Sequence, residues 1–363
     1  MNPKIIAFYL PQFHAIPEND LWWGKGFTEW VNTKKAKPLY KGHYQPKEPL
    51  DDNYYSLLDA KSQEWQADLA RKYGIDGFCY YHYWFDGKLL LEKPMENMLK
   101  NPKVNIPFCI SWANETWSRT WSGKEKEILI QQKYGDEKDW IKHIEYLLPF
   151  FKDKRYITIN NKPMLLLYTA SRIEHCEEMI RVWNEYLKTE GFDGIYIVET
   201  MNSFQKKACL DMSEAEVYFE PWHTKAYLDD QKSAVKILIK KIIGVISPKI
   251  GCIDAKQIWN TILLEKEREY RGKEIFLGTF PQWDNTARRG KKAIIFKNTS
   301  VDNFAQHFKQ LYKKSVEEKR KFIFVNAWNE WAEGAYLEPD KHNKFGYLES
   351  IKKVVDKYSA GEV

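Results

Sequence analysis

The run Ile5-Ile6-Ala7-Phe8-Tyr9-Leu10-Pro11-Gln12-Phe13-His14 decides between two folds. Ile5–Leu10 has strand length and is rich in β-branched and aromatic residues, so it reads as a buried strand. A doubly wound nucleotide-binding sheet needs glycines just after such a strand, so that backbone N–H groups can approach a diphosphate. Proline, glutamine, phenylalanine and histidine stand there instead, which makes the open sheet the runner-up. Seven more strand-length runs follow: Gly77–Tyr83, Phe108–Trp112, Met164–Tyr168, Ile195–Glu199, Val217–Phe219, Ile275–Phe280 and Phe322–Ala327. Helical candidates lie between and after them, at Tyr54–Tyr73, Lys88–Lys100, Glu137–Phe151, Ile173–Thr189, Ala255–Tyr270, Asp302–Glu318 and Tyr347–Lys357. Strands alternating with helices give a parallel sheet, and eight of them predict an α/β fold, a single (β/α)8 TIM barrel. No domain boundary is visible, so residues 1–363 read as one catalytic domain. Two long irregular stretches, Pro11–Asn53 and Ala113–Gly135, each follow a strand and belong over the C-terminal face, where long loops are usually functional.

Composition excludes several classes. The 363 residues are 29 % charged and 44 % hydrophobic, as in an ordinary globular protein. No run of about 18 uncharged apolar residues exists, so no membrane span is expected. Ile5 is not preceded by a basic segment and a longer apolar core, so no signal peptide is read and a cytoplasmic location is expected. Five scattered cysteines without a CxxC pair suggest neither a disulfide framework nor zinc. His14, His43, His82, His223 and His307 are dispersed, so neither a metal nor a cofactor is expected. A net charge of +6 is too mild to imply nucleic-acid binding. Residues 232–250 combine lysines with apolar residues at helical spacing. Such a helix can make peripheral contact with an anionic membrane, although a barrel helix with a solvated face is the plainer reading. The oligomeric state is not legible.

The anomaly is aromatic: 15 Trp, 22 Tyr and 19 Phe. Trp and Tyr join an apolar face to a polar edge, which suits the C–H faces and hydroxyl rims of sugars. Core packing takes many of them, so their positions matter. They gather with polar residues around the ends of the predicted strands. The first strand carries Tyr9, Gln12, His14, Trp22, Trp23, Glu29 and Trp30. The second carries Tyr81, His82 and Trp84, and the third Trp112, Asn114, Glu115 and Trp117. Glu199 ends the fifth, while Glu220 and Trp222 follow the sixth. Trp283 and Asp284 follow the seventh, and Asn326, Trp328, Asn329, Glu330 and Glu333 close the eighth. In a barrel these ends converge on one mouth, where active sites form. One acidic residue at a strand end is often only a helix cap; carboxylates after five strands, each beside an aromatic, are harder to dismiss. Glycoside chemistry needs two carboxyl groups across the scissile bond. Glu330 and Glu333 offer them if the chain turns helically there, because residues three apart then share a face about 5–6 Å apart. Arg288-Arg289-Gly290-Lys291-Lys292, after the seventh strand, reads either as a contact for an anionic glycan or as a solvated loop.

The runs Ala7–His14, Trp22–Trp30, Tyr81–Trp84, Ser111–Glu115 and Asn326–Gly334 resemble the WbsX-like family of polysaccharide gene clusters, which is similar in turn to glycoside hydrolase family 99, the endo-α-mannosidases. The resemblance spans nearly the whole chain. It implies a (β/α)8 barrel and places the catalytic pair at Glu330 and Glu333. By that likeness Glu330 assists the substrate's own 2-hydroxyl as nucleophile through a 1,2-anhydro sugar, and Glu333 is the acid/base. The resemblance also brings a rival reading, a glycosyltransferase or transglycosylase in lipopolysaccharide, O-antigen or capsule synthesis. No DxD stands at a strand end to hold a metal-bound diphosphate; Asp51-Asp52 and Asp229-Asp230 are adjacent pairs in predicted loops. A non-catalytic glycan-binding protein is a third reading, which loss of either glutamate would have favoured. The expected partner is a glycan or polysaccharide.

Overall fold

The computed structural model describes residues 2–120, 126–231, 251–264 and 272–362. The basic segment 232–250, Trp121 and the end of the expected Ala255–Tyr270 helix lie outside the described residues. All eight runs are strands: β1 Lys4–Tyr9, β2 Gly77–Phe85, β3 Phe108–Trp112, β4 Lys162–Leu167, β5 Tyr196–Met201, β6 Ala215–Tyr218, β7 Glu274–Thr279 and β8 Phe322–Val325. Each pairs in parallel with the next, and β8 pairs with β1 (Lys4 opposite Phe322), which closes the barrel. Helices cross between strands, as the (β/α)8 fold requires. Rings from separate strands fill the interior. Phe8 lies 5.7 Å from Tyr81, 5.0 Å from Phe219 and 5.5 Å from Phe324. Side-chain oxygens cap several helices: Asp59 that of Ala60–Lys72, Asp136 that of Glu137–Phe151 and Ser300 that of Val301–Glu317.

Element boundaries depart from expectation for local reasons. The helix expected from Lys88 starts at Lys93, because Asp86-Gly87, both with positive φ, form a hairpin turn that folds Lys88–Leu90 back onto the end of β2. The helix expected from Tyr54 starts at Ala60, after its Asp59 cap. The two irregular stretches carry structure of their own. Helices Pro17–Trp23 and Glu29–Lys35 lie in the first, and an antiparallel pair, Trp117–Thr120 with Lys126–Ile130, in the second. Among the described residues, no helix is long and apolar enough to cross a membrane.

Candidate active site

β8 ends at Val325, earlier than expected, and the chain then makes a compact turn. Asn329–Glu330 pairs antiparallel with Ala335–Tyr336, and Trp331–Glu333 forms one 3-10 turn between them. Three anchors hold this turn. Asn329 clamps the backbone of Leu10 at both N–H and C=O (2.8 and 3.0 Å). The Trp328 N–H donates to Phe8 O at 2.8 Å. Beneath the turn the buried Glu338 accepts hydrogen bonds from Trp331 Nε1 (2.6 Å), Tyr55 OH (2.8 Å) and Gln66 Nε2 (2.7 Å). Gly334 closes the turn at φ 59°, and a Cβ there would lie 2.9 Å from the backbone N and O of Asp284. Only glycine permits that approach, and it lets the Asp284 N–H donate to Glu333 O at 2.7 Å.

This contact between the β7 loop and the β8 turn delivers the residue that organises the site. Arg288 reaches three carboxylates at once: Glu29 from Nε (3.2 Å), Glu330 from Nη2 (3.1 Å) and Glu333 from Nη1 (2.7 Å). It is therefore engaged in the acidic cluster and is no free contact for an anionic glycan; its neighbour Arg289 is exposed at the cavity lip. Burial pushes Glu330 up to about 8, against the pull of Arg288 and with the help of Glu333 and Glu29. Burial raises Glu333 too, again opposed by Arg288. The resemblance makes Glu333 the acid, the role that goes with a raised carboxyl. Both carboxyls rise, and burial is the largest cause for each. Glu330 feels the charge of Glu333 and both pair with Arg288, so the two carboxyls titrate together.

The pair lines an open cavity of about 790 Å3 at the C-terminal mouth of the barrel. Of the residues expected there, Gln12, Trp23, Glu29, Tyr81, Glu115, Trp117, Trp222, Trp283, Glu330 and Glu333 line it. So do Phe27 and Tyr83, inside the motifs Trp22–Trp30 and Tyr81–Trp84, and Lys35, Tyr168, Phe204 and Phe219, which were not singled out. Tyr83 was within reach of the sequence, since it shares its strand face with Tyr81. Glu115 pairs with Arg172 at 2.9 Å, and its carboxyl is raised by burial despite that partner. Of the tryptophans expected at the mouth, Trp23, Trp117, Trp222 and Trp283 line the cavity. Trp22 packs edge-on against Trp117 at 6.0 Å. Trp84 and Trp112 lie behind the wall, both against His143 of the helix Glu137–Phe151.

The remaining expected contacts are structural. Tyr9 OH donates to Gln66, His14 is sealed near Pro11 O, and His82 bonds His143 at 2.9 Å. Trp30 packs on Phe13, Tyr55 and Trp331, and Trp328 on Phe78. Asn114 ties the backbone of Thr169, Asn326 bonds Glu220 O, and Asn329 holds Leu10. Glu220 accepts from the N–H and hydroxyl of Thr224 in the helix Trp222–Asp230 that follows it. Glu199 is consumed by Gln205, Ser213, Lys273 and the N–H groups of Cys209 and Leu210. Asp284 binds His43, Gln45 and Thr286. These side chains back the cavity wall and do not form its surface. No metal-holding cluster of His, Cys, Asp or Glu occurs among the described residues.

Fold and site together define a (β/α)8 barrel with a carboxylate pair and aromatic walls at its mouth. Residues 5–351 match the family described as Glycosyltransferase WbsX, and the chain belongs to that family. The uncharacterized protein WxcX of Xanthomonas campestris pv. campestris is 31 % identical over 357 residues, which cover 97 % of this chain and 49 % of that protein. The chain thus spans about half the length of the curated relatives it matches. Among solved structures, a GH99 endo-alpha-mannosidase from Bacteroides thetaiotaomicron superposes with a TM-score of 0.56 at 12 % identity, covering 99 % of this chain and 98 % of that one. A glycoside hydrolase-like protein superposes with a TM-score of 0.60 at 12 % identity, covering 97 % and 94 %. At such identity these two likenesses concern the fold.

Proposed function

We propose that this chain is a carbohydrate-active enzyme that cleaves a glycosidic bond within a polysaccharide or oligosaccharide with retention, using Glu330, Glu333 and the substrate's own 2-hydroxyl. The observation that carries this is the carboxyl pair braced by Arg288 on the wall of an aromatic cavity. A pair holding one proton supplies a base and an acid together, and its two tautomers differ only in which glutamate is which. In the productive tautomer Glu330 takes the proton of the 2-hydroxyl as that oxygen attacks the anomeric carbon. Glu333 protonates the departing oxygen, leaving a 1,2-anhydro sugar. Water then attacks the anomeric carbon and gives its proton to Glu333, while the opening ring oxygen recovers a proton from Glu330. Two inversions give net retention. This division of roles follows the family resemblance. Endo action is favoured by two exposed rings, Trp23 in the loop after β1 and Phe204 in the loop after β5. In an eight-stranded ring these loops leave opposite sides of the mouth, so a chain can rest on both.

A second reading, transfer of a sugar during surface-polysaccharide assembly, is favoured by the description of the family itself. The two are separated by incubating the purified chain with a panel of bacterial surface polysaccharides, with and without sugar nucleotides. Shortening of a polysaccharide in the absence of any sugar nucleotide supports hydrolysis. Product formed only when a sugar nucleotide is present overturns it in favour of transfer.

A further inference from the structure

Trp283 lines a second cavity as well, of about 240 Å3, together with Tyr40, Tyr44, Lys47 and Gln282. That is smaller than the roughly 300–1,000 Å3 of pockets that hold a drug-sized ligand, so it suits a small group. Its chemistry is unbalanced. Lys47 is only 7 % exposed, yet its ammonium forms no ion pair among the described residues. Its hydrogen bond is a long one, 3.4 Å to Gln282 Oε1, and the ring of Tyr44 lies 4.4 Å away. Burial lowers its pKa, while the charges of Asp284 and Asp340 pull the other way. Both acids attract it without a contact pair, Asp284 from the lining of the same cavity. Asp284 is spent on His43, Gln45 and Thr286, and Asp340 on Tyr336 and Asn343. The amide nitrogen of Gln282 and the indole N–H of Trp283 are buried without any partner. A buried cation that forms no contact ion pair and two buried donors without acceptors are each costly. All three costs are relieved by one ligand that brings negative charge and several acceptor oxygens.

We propose that this cavity is a second ligand site, taking a small oxyanion, a carboxylate or phosphate group, held by the Lys47 ammonium and the Gln282 amide N–H, with the Trp283 indole as a further donor. The site is distinct from the Glu330–Glu333 cavity and shares only Trp283 with it. The proposal holds whether that cavity hydrolyses or transfers sugars.

Calorimetric titration of the intact chain tests it with four probes: inorganic phosphate, sulfate, methyl glucuronide and methyl glucoside. Saturable binding is expected for the anions and none for the neutral glucoside. Phosphate binding alone would mark a free anion as the ligand, and tighter binding of the glucuronide would mark a sugar-borne carboxylate; either outcome supports the site. Lys47→Met and Gln282→Glu should each weaken binding about tenfold or more, whereas Lys291→Ala, an exposed lysine elsewhere, should change nothing. Gln282→Glu keeps the side chain's size, so it decides the matter even where Lys47→Met melts early. Absence of saturable anion binding, or binding unaffected by Gln282→Glu, would overturn the proposal.

Discussion

Glu199 and Glu330 look alike by simple criteria. Each belongs to the C-terminal part of a barrel strand or the turn that follows, and each is nearly sealed from water, at 0 % and 6 % exposure. Their surroundings differ. Glu199 is saturated: both oxygens accept from backbone N–H groups and side chains, and the Lys273 ammonium balances its charge at 3.2 Å. Among the described residues the Glu330 carboxyl has one hydrogen-bonding partner, Arg288, which it shares with two other carboxylates, and it lies on a cavity wall. Burial therefore does not separate the proposed catalytic carboxylate from a structural one. The separation lies in how many acceptor positions remain open toward substrate.

The strongest test of this contrast is the pair itself. Glu333→Gln is expected to lower turnover on natural glycans about 10²–10⁴-fold, the usual share of a general acid, while sparing substrates whose leaving group needs no proton. Glu330→Gln should be poor on both. A 2-deoxy substrate should fail with the intact enzyme, and its cleavage at the parent rate would rule out participation of the 2-hydroxyl. At Glu199 the expectation is reversed. Glu199→Ala leaves Lys273 buried without its partner, a loss of about 3–5 kcal/mol in stability, readable by denaturant unfolding. Turnover per folded molecule should stay unchanged. A fall in turnover with stability intact would erase the distinction between the two glutamates.

The pair's proton adds a pH signature. Burial holds Glu330 up to about 8, from an ordinary value of 4.5, with Arg288 opposing. Turnover should therefore fall as pH passes about 8 and the pair loses its shared proton. Stability follows the same sign. The contribution of this raised carboxyl is complete below 4.5, where folded and unfolded chains are both protonated, and it is lost as pH rises through about 8. Glu330→Gln cannot ionise, so its stability should decline less steeply across that window. Equal slopes in unfolding experiments would show that the proton resides elsewhere.

The barrel was legible because each of its strands is buried on both faces and so stands out as a short apolar run. The Glu330–Glu333 pair was legible from its spacing and its flanking residues. Arg288 was not, since its partners lie 42, 45 and 259 positions away and meet it only because Gly334 lets two loops touch. Aromatic residues were only partly legible. Along β2, Tyr81 and Tyr83 line the cavity while His82 and Trp84 pack outward on His143, a period-two alternation that residue type alone conceals. Trp222, edge-on to Trp283 at 5.0 Å and lining the cavity, tests the wall more gently than the carboxylates do. Trp222→Ala should weaken glycan binding by about 1–3 kcal/mol, with thermal stability nearly unchanged. A large drop in melting temperature with intact affinity would make it a core residue like Trp112.

The smallest effect is expected at Glu115, which sharpens the contrast from the other side of the mouth. This carboxylate lines the same cavity as Glu330 and is raised by burial, so a direct nucleophile placed there is the alternative to participation of the 2-hydroxyl. Its pairing argues against that. Arg172 holds it at 2.9 Å, and 47 % of the arginine side chain is open to solvent. Such a partly solvated pair contributes little, about 0.2–1 kcal/mol. A nucleophile must also be free to approach the anomeric carbon, and Glu115 would first have to leave the arginine. Glu115→Gln should therefore change KM by only a few-fold and leave kcat close to that of the parent. Collapse of kcat on activated and natural substrates alike, with a glycosyl adduct trapped on Glu115 by a fluorinated sugar, would transfer the nucleophile's role from the substrate to the protein.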